Sequence, residues 1–180
     1  MDRVKASPQQ FDPAKVAYYE KAGWEAYYAR QWGRAFGLMV SLNREQFRMP
    51  LLTAIAGAVD IVRASQAFVP LENNDVPLAQ KHMERYYNKA RRSVGLEAEA
   101  AKLAELEMDY WVVHRQLAQQ RKADKNAGNP ASMVESLRRL HAALFKAEPG
   151  AVKRSAELRA EAAVAVDRIT GGYSKDVAAD

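Results

Sequence analysis

Residues 49–70, MPLLTAIAGAVDIVRASQAFVP, decide the fold because they form one long apolar segment with a proline near each end. Only Asp60 and Arg63 interrupt a run that is apolar or small on nearly every side, a pattern typical of a central, mostly buried helix. About eighteen residues at 1.5 Å each cover ~27 Å, and the two charges with the flanking prolines favour a core helix over a membrane span. The segment therefore predicts the middle of a helical bundle.

Helical periodicity continues upstream of this segment. Asp12 followed by Pro13 predicts a helix start, because aspartate caps a first turn and proline fits its first position. Apolar residues then recur three and four positions apart through residues 16–47. Gly33 and Gly37 lie inside this run, so the sequence leaves open whether it forms one helix or two.

Downstream, turn residues separate four further helices. The first begins at Asp75 or Val76 and ends at Gly95, and the next begins around Leu96. A polar loop at 121–132 precedes two more helices, the last of them over residues 151–170. No segment alternates apolar and polar residues with a period of two, so no strand is predicted. The predicted fold class is all-α, an irregular bundle of about six mostly antiparallel helices.

Composition is that of one folded domain. With 180 residues, 48% of them hydrophobic and 27% charged, the chain can bury one core and lacks the signature of disorder. We expect a single helical-bundle domain over residues 12–172, a flexible arm at 1–11 and a polar tail at 173–180. The absence of cysteine excludes disulfides, thiolate metal sites and thiol catalysis. Without an apolar leader at its start, the chain is expected to be cytoplasmic.

Aromatic residues give the leading functional hypothesis. Residues 18–36 hold more tyrosine and tryptophan than one narrow helical stripe can bury, and both residue types are favoured at protein contacts. Glycines at 23, 33 and 37 would let another helix come close. We therefore predict a non-enzymatic binding or assembly protein, an accessory or scaffold, that contacts a partner protein or a second copy through its first helix. The predicted contact residues are Tyr18, Trp24, Tyr28 and Trp32.

Residues 106–117, LEMDYWVVHRQL, carry the alternative hypothesis of an enzyme. Glu107 and His114 are seven residues apart, or about 10 Å along a helix, too far to bind one metal ion by themselves. A pocket between the second, third and fourth predicted helices would add Arg63 and His82 for catalysis, or His82 and Glu84 for a metal. The structural interpretation of the same stretch has Tyr110 and Val113 packed inward and His114 bonded to a carboxylate or carbonyl. No cofactor is predicted.

Two charge patterns have both structural and functional interpretations. Asp60 and Arg63 are three residues apart, so they form either a local ion pair at a helix edge or a site where the arginine reaches into the bundle. The third predicted helix carries a basic face at three and four spacing, which could follow a phosphate backbone or anionic lipid but is more often solvated. Nucleic-acid binding is the third functional alternative, and a net charge of +5 supports it only mildly. The basic face consists of Lys81, Arg85, Lys89 and Arg92.

Overall fold

The computed structural model describes residues 10–70, 72–124 and 128–170. These ranges contain seven helices and no strand, which confirms the all-α class with one helix more than the six expected. Most of the predicted arm, the whole predicted tail at 173–180 and the side chain of Tyr28 lie outside the described residues. The helices are α1 (Pro13–Tyr28), α2 (Trp32–Phe47), α3 (Leu51–Phe68), α4 (Val76–Val94), α5 (Ala100–Ala123), α6 (Ala131–Phe145) and α7 (Lys153–Thr170).

The chain forms two compact units, and the division between them falls within α5. The first unit extends to Ala104 and the second begins at Glu105. In the first unit, α2 packs against both α1 and α3, and α3 packs against α4. In the second unit, α6 packs against α7. The single domain over residues 12–172 stays a prediction.

The additional helix arises because the aromatic segment is broken between α1 and α2. The break lies at residues 29–31, upstream of the two glycines at which a bend was considered. Arg30 adopts a left-handed φ of 56°, and the amide of Gln31 donates to the carbonyl of Ala26 at 2.8 Å. Backbone hydrogen bonds of this kind satisfy the last carbonyls of a helix at its end. Trp32 therefore opens a second helix instead of continuing the first.

Helix ends with a local chemical signal lie where the sequence predicts them. The side chain of Asp12 accepts hydrogen bonds from the first-turn amides of α1, and Asp75 accepts one from the amide of Leu78 in α4. Gly95 ends α4 with a φ of 70°, a conformation that glycine adopts without steric cost. The next helix, predicted to begin around Leu96, begins at Ala100 instead. Leu96 is buried, and its carbonyl accepts from Arg91 Nε at 3.2 Å.

The prediction that 51–68 is a mostly buried helix is wrong, because only 33% of α3 is buried. Its buried face consists largely of small residues, which let α3 lie close to its neighbours. Three larger apolar side chains of α3, Leu51, Leu52 and Ile55, are exposed, and Leu52 reaches 80%, whereas Phe68 is buried. By length and composition alone, α3 is also the one helix in the described ranges that could cross a membrane. The small residues of the buried face are Ala54, Gly57, Ala58 and Ala64.

One buried amide connects three helices of the first unit. Asn43 of α2 is fully buried, and its Nδ2 donates to the carbonyl of Ala54 in α3 at 3.1 Å. Tyr86 of α4 donates from its hydroxyl to Asn43 Oδ1, also at 3.1 Å. A Cβ atom on Gly57 would lie 3.3 Å from Asn43 Nδ2 and from the Tyr86 ring. Glycine at position 57 thus permits the close approach that this hydrogen-bonded junction requires.

The core of the second unit contains side chains from α5, α6 and α7. Met133 and Leu137 of α6 are fully buried there, and alanines of α7 let that helix pack closely against them. Half-buried residues, among them Trp111 and Val113, surround this cluster. The buried members are Tyr110, Leu117, Met133, Leu137, Ala156 and Ala160.

Candidate interaction surface

Three aromatic side chains form an exposed cluster where α1 ends and α2 begins. Trp24 and Tyr27 of α1 are each 44% exposed, and Trp32 of α2 is 59% exposed. Tyr27 and Trp32 meet edge to face, with ring centroids 5.4 Å apart. At 100° per residue, Trp24 and Tyr27 lie about 60° apart around α1. We refer to Trp24, Tyr27 and Trp32 as the aromatic cluster.

The other predicted contact residues differ in position. Tyr18 is exposed, but it lies about 120° from Trp24 around the helix and contacts Tyr19 edge to face at 5.5 Å. The side chain of Tyr28 lies outside the described residues. Tyr27 is absent from the predicted set because the sequence pattern aligns it with the packed side of α1.

Two exposed glycines leave a smooth strip on α2, about 100–140° around the helix from Trp32. Gly33 and Gly37 are four residues apart and therefore lie on one face, where both are exposed. A Cβ atom at either position would meet nothing within 4 Å. Within the described part of the chain, no neighbouring element uses the close approach that these glycines permit.

The depression in the first unit is an open, polar one of about 400 Å³. Arg48 at its edge donates to the carbonyl of Gln10 at 2.7 Å, and Glu45 accepts from the amide of Asp12 at 3.1 Å. These bonds connect Glu45 and Arg48 to the start of the described chain. It is lined by Tyr19, Ser41, Arg44, Glu45, Arg48 and Met49.

Glu107 and His114, which the enzyme hypothesis joins in one pocket, each bond a different residue. Glu107 is buried and accepts from Trp111 Nε1 at 2.9 Å, one turn along α5. His114 Nε2 lies 3.1 Å from a carboxylate oxygen of Asp167 on α7, and its ring stacks on Tyr110. A carboxylate partner for His114 agrees with the structural interpretation of this stretch. Asp167 itself carries no sequence signal, because it lies 53 residues away in another helix.

A second histidine, absent from the predicted sites, lies buried between α6 and α7. His141 Nδ1 is 3.1 Å from Ser155 Oγ, and its Nε2 is 3.5 Å from an Arg159 nitrogen. Burial, and then the positive charge of Arg159, lower the pKa of His141 to about 4. The imidazole is therefore neutral at pH 7. Since the guanidinium can only donate, Nε2 accepts and Nδ1 carries the proton.

This tautomer determines what the serine–histidine pair can do. With its proton on Nδ1, His141 donates to Ser155 Oγ and cannot remove the hydroxyl proton as a general base. In this unit the carboxylate of Asp167 bonds His114, not His141. Neither pair therefore has the nucleophile, base and orienting acid of a catalytic triad.

The remaining residues of the enzyme hypothesis, Arg63, His82 and Glu84, lie in the first unit. Arg63 is exposed, while His82 and Glu84 are half-buried. Asp60 forms its ion pair with Lys89 of α4, not with Arg63 as considered from the sequence. Within residues 10–70, 72–124 and 128–170, no three histidine, aspartate or glutamate side chains are grouped so that they could hold a metal ion.

The ion pair between Asp60 and Lys89 neutralises one of the four cations on the basic face of α4. Lys89 is half-buried beside Asp60, which offsets its charge. Lys81, Arg85 and Arg92 are exposed. The effective basic face therefore has three exposed cations and one neutralised lysine.

No protein-family model matches the chain, and neither curated proteins nor solved structures include a significant match.

Proposed function

We propose that the chain is a non-enzymatic binding or assembly protein whose aromatic cluster contacts a partner protein. The observation that carries this proposal is the exposure of Trp24, Tyr27 and Trp32, of which Tyr27 and Trp32 are in contact. Tryptophan and tyrosine bring large contact area at low entropy cost, so they concentrate the binding energy of protein interfaces. A cytoplasmic location is part of this proposal.

The exposed glycines of α2 support the same proposal on energetic grounds. Glycine inside a helix costs about 1 kcal/mol relative to alanine, and Gly37 occupies such an interior position of α2. At both positions an alanine side chain would have open space. The stability lost at Gly37 therefore has no compensation within the described chain, whereas a partner helix crossing the strip of Gly33 and Gly37 could approach closely.

The partner is best described as a helix, because the exposed glycine strip would let another helix lie closely across α2. The cluster supplies on the order of 300 Å² if about half of each ring's area of roughly 200 Å² is covered. A stable interface needs about 800 Å² from each side, so the rest of the contact falls on adjoining parts of α1 and α2. A second copy of the chain could provide such a helix, and this is the version that is simplest to test.

Light scattering during size-exclusion chromatography, over a range of protein concentrations, tests this proposal. We expect a concentration-dependent dimer that Trp24→Ala and Trp32→Ala each weaken by tenfold or more, since interface tryptophans commonly contribute over ~1.4 kcal/mol. Tyr18→Ala is the matched control, because Tyr18 is equally exposed but lies on another side of α1.

A monomer at every concentration would contradict self-association. Cross-linking of the full chain in a cell extract then distinguishes a different protein partner. If no cross-linked product disappears in Trp24→Ala and Trp32→Ala, the aromatic cluster is not a contact surface.

A further inference from the structure

Arg121, in the last turn of α5, is a buried cation without a partner. The residue is only 9% exposed, and its Nη1 atom is buried without a hydrogen bond. No residue that the structure describes forms an ion pair with its side chain, and the nearest acid along the chain, Asp124, is exposed. Removing a charged group from water without a partner is costly, so arginines are almost never buried unless they are paired. The burial of Arg121 therefore points to an anion.

The end of α5 does not by itself explain this burial. A cation in the last turn of a helix is attracted by the partial negative charge of that end. Lys122 occupies the same turn and stays exposed, so this attraction does not require burial. It also leaves Arg121 Nη1 without an acceptor.

Arg121 lies beside the first turn of α6. It follows Leu117 by one turn, about 40° around α5, so both residues are on the same side of that helix. Leu117 belongs to the same core cluster as Met133, the third residue of α6. Gly128, which precedes α6, is so close to Leu117 that a Cβ atom there would collide with Leu117 Cδ1. The start of α6 is therefore next to the end of α5, where the long side chain of Arg121 can reach it.

The first turn of α6 has hydrogen-bond donors that are not used. No side chain of the cap residue Pro130 bonds this helix, and Asn129 Oδ1 accepts only from the amide of Ala131, at 2.9 Å. The next two amides, of Ser132 and Met133, have no acceptor among the described residues, as is usual at an uncapped helix start. Ser132 is exposed, so this turn is open to solvent on the side away from the core.

We propose that Arg121 and the first turn of α6 bind phosphate, either as the free ion or as the phosphate group of a small ligand. The guanidinium would donate from Nη1, and the helix start would donate from the Ser132 and Met133 amides. The positive end of the α6 dipole adds to the charge of Arg121. Phosphate suits this arrangement because its oxygens can accept from donors on two sides at once.

The proposed phosphate site is separate from the aromatic cluster. Its residues belong to the second unit, whereas Trp24, Tyr27 and Trp32 belong to the first. Either proposal can therefore fail without the other.

Thermal unfolding of the full chain in inorganic phosphate, followed by circular dichroism at constant ionic strength, tests this inference. We expect phosphate to raise the melting temperature of the parent chain in a saturable way, and chloride to leave it unchanged. Arg121→Met should weaken the apparent affinity for phosphate about tenfold or more, because hydrogen bonds to charged groups commonly contribute that factor. Without phosphate, Arg121→Met should melt at or above the parent temperature, because it removes a buried charge that has no partner.

Two further variants are matched controls. Lys122→Met removes the same charge from the next residue, which is exposed, and should keep the parent affinity for phosphate. Arg121→Lys keeps the charge but loses the planar guanidinium, so it should bind phosphate with intermediate affinity. Glycerol phosphate, titrated in parallel, distinguishes the two forms of the ligand. Tighter binding of the ester would assign the site to a small organic phosphate, and tighter binding of inorganic phosphate to the free ion.

Three results would overturn the proposal. The first is a parent melting temperature that does not respond to phosphate up to about 50 mM, ten times a dissociation constant of about 5 mM. The second is an equal phosphate response in Arg121→Met and the parent chain, which would mean that the ion binds elsewhere. The third is a loss of stability in Arg121→Met without phosphate, which would show that the guanidinium already has a partner within the chain.

Discussion

The two units of the chain differ in where they place large apolar side chains. In the second unit such side chains meet around Met133 and Leu137, and its histidines are held by partners on α7. In the first unit the packed face of α3 consists largely of small residues, and its leucines face outward. Among the described residues, the large exposed apolar side chains of the second unit are Leu158 and Ile169. Those of the first are Tyr18, Trp24, Tyr27, Trp32, Leu51, Leu52, Ile55, Val69 and Leu78.

This difference teaches that a helix rich in apolar residues need not be a core helix. Alanine and glycine allow close helix packing, while leucine and tryptophan provide contact area on the outside. The first unit is thus suited to present surfaces, and the second to bury its large apolar side chains. The following predictions test that division.

The largest change in the free energy of unfolding is expected when leucines of the two units are compared. Leu137→Ala should lower the free energy of unfolding by about 2–5 kcal/mol, because it leaves a cavity at a fully buried position. Leu52→Ala should change it by less than about 0.5 kcal/mol, because that side chain is already in water. Urea titration followed by circular dichroism measures both. Equal losses would show that Leu52 is covered in solution.

The second prediction concerns acid sensitivity of the second unit. Because burial lowers the pKa of His141 to about 4, folding favours its neutral form. The resulting stability is complete above the unfolded pKa near 6.5 and is lost as the pH falls toward 4. By about pH 4.5 this effect lowers the free energy of unfolding by about 2–3 kcal/mol. Urea titrations at about pH 7 and about pH 4.5 should show that His141→Gln removes this part of the pH dependence. An unchanged pH dependence would mean that the imidazole is hydrated.

The third prediction concerns the ion pair of the first unit. Lys89→Met should lower the free energy of unfolding by about 1–3 kcal/mol, because it leaves the carboxylate of Asp60 buried without its cation. Adding Asp60→Asn should restore part of this loss. Lys81→Met is the matched control, since it removes the same charge from an exposed position of α4. Equal effects of the two lysine substitutions would argue against a buried pair.

The smallest effect, and one of opposite sign, is expected on α2. Gly37→Ala should raise the melting temperature, with a gain of about 0.5–1 kcal/mol, because alanine favours a helix and has open space there. Gly57→Ala should lower it, because the new Cβ would lie 3.3 Å from Asn43 Nδ2. If Gly37→Ala also destabilises the protein, another element must pack on that strip.

Sequence alone predicts what depends on neighbouring residues. The caps at Asp12 and Asp75 and the end at Gly95 are local signals, and all three are confirmed. The break near Arg30 is not predicted, because the left-handed turn there contains no glycine. The mostly antiparallel order of the helices stays a prediction.

The candidate sites are less predictable because they depend on contacts between distant helices. The exposed tryptophans could be expected from their excess in one segment, but the exposed face of α3 could not, since composition does not reveal which side packs. The partners of His114 and Asp60 are likewise distant in the chain, at Asp167 and Lys89. The functions of these exposed surfaces remain proposals that binding experiments must test.

The junction at Asn43 has a consequence for how the first unit can move. Its amide bonds one carbonyl of α3 and one hydroxyl of α4. If either helix slid by one turn, these buried polar groups would lose their hydrogen-bond partners without gaining water. The free-energy cost would exceed that of a comparable shift in a purely apolar interface. The Asn43 amide therefore fixes the register of the three helices. Any rearrangement must either move α2, α3 and α4 together as a rigid body or separate all three at once.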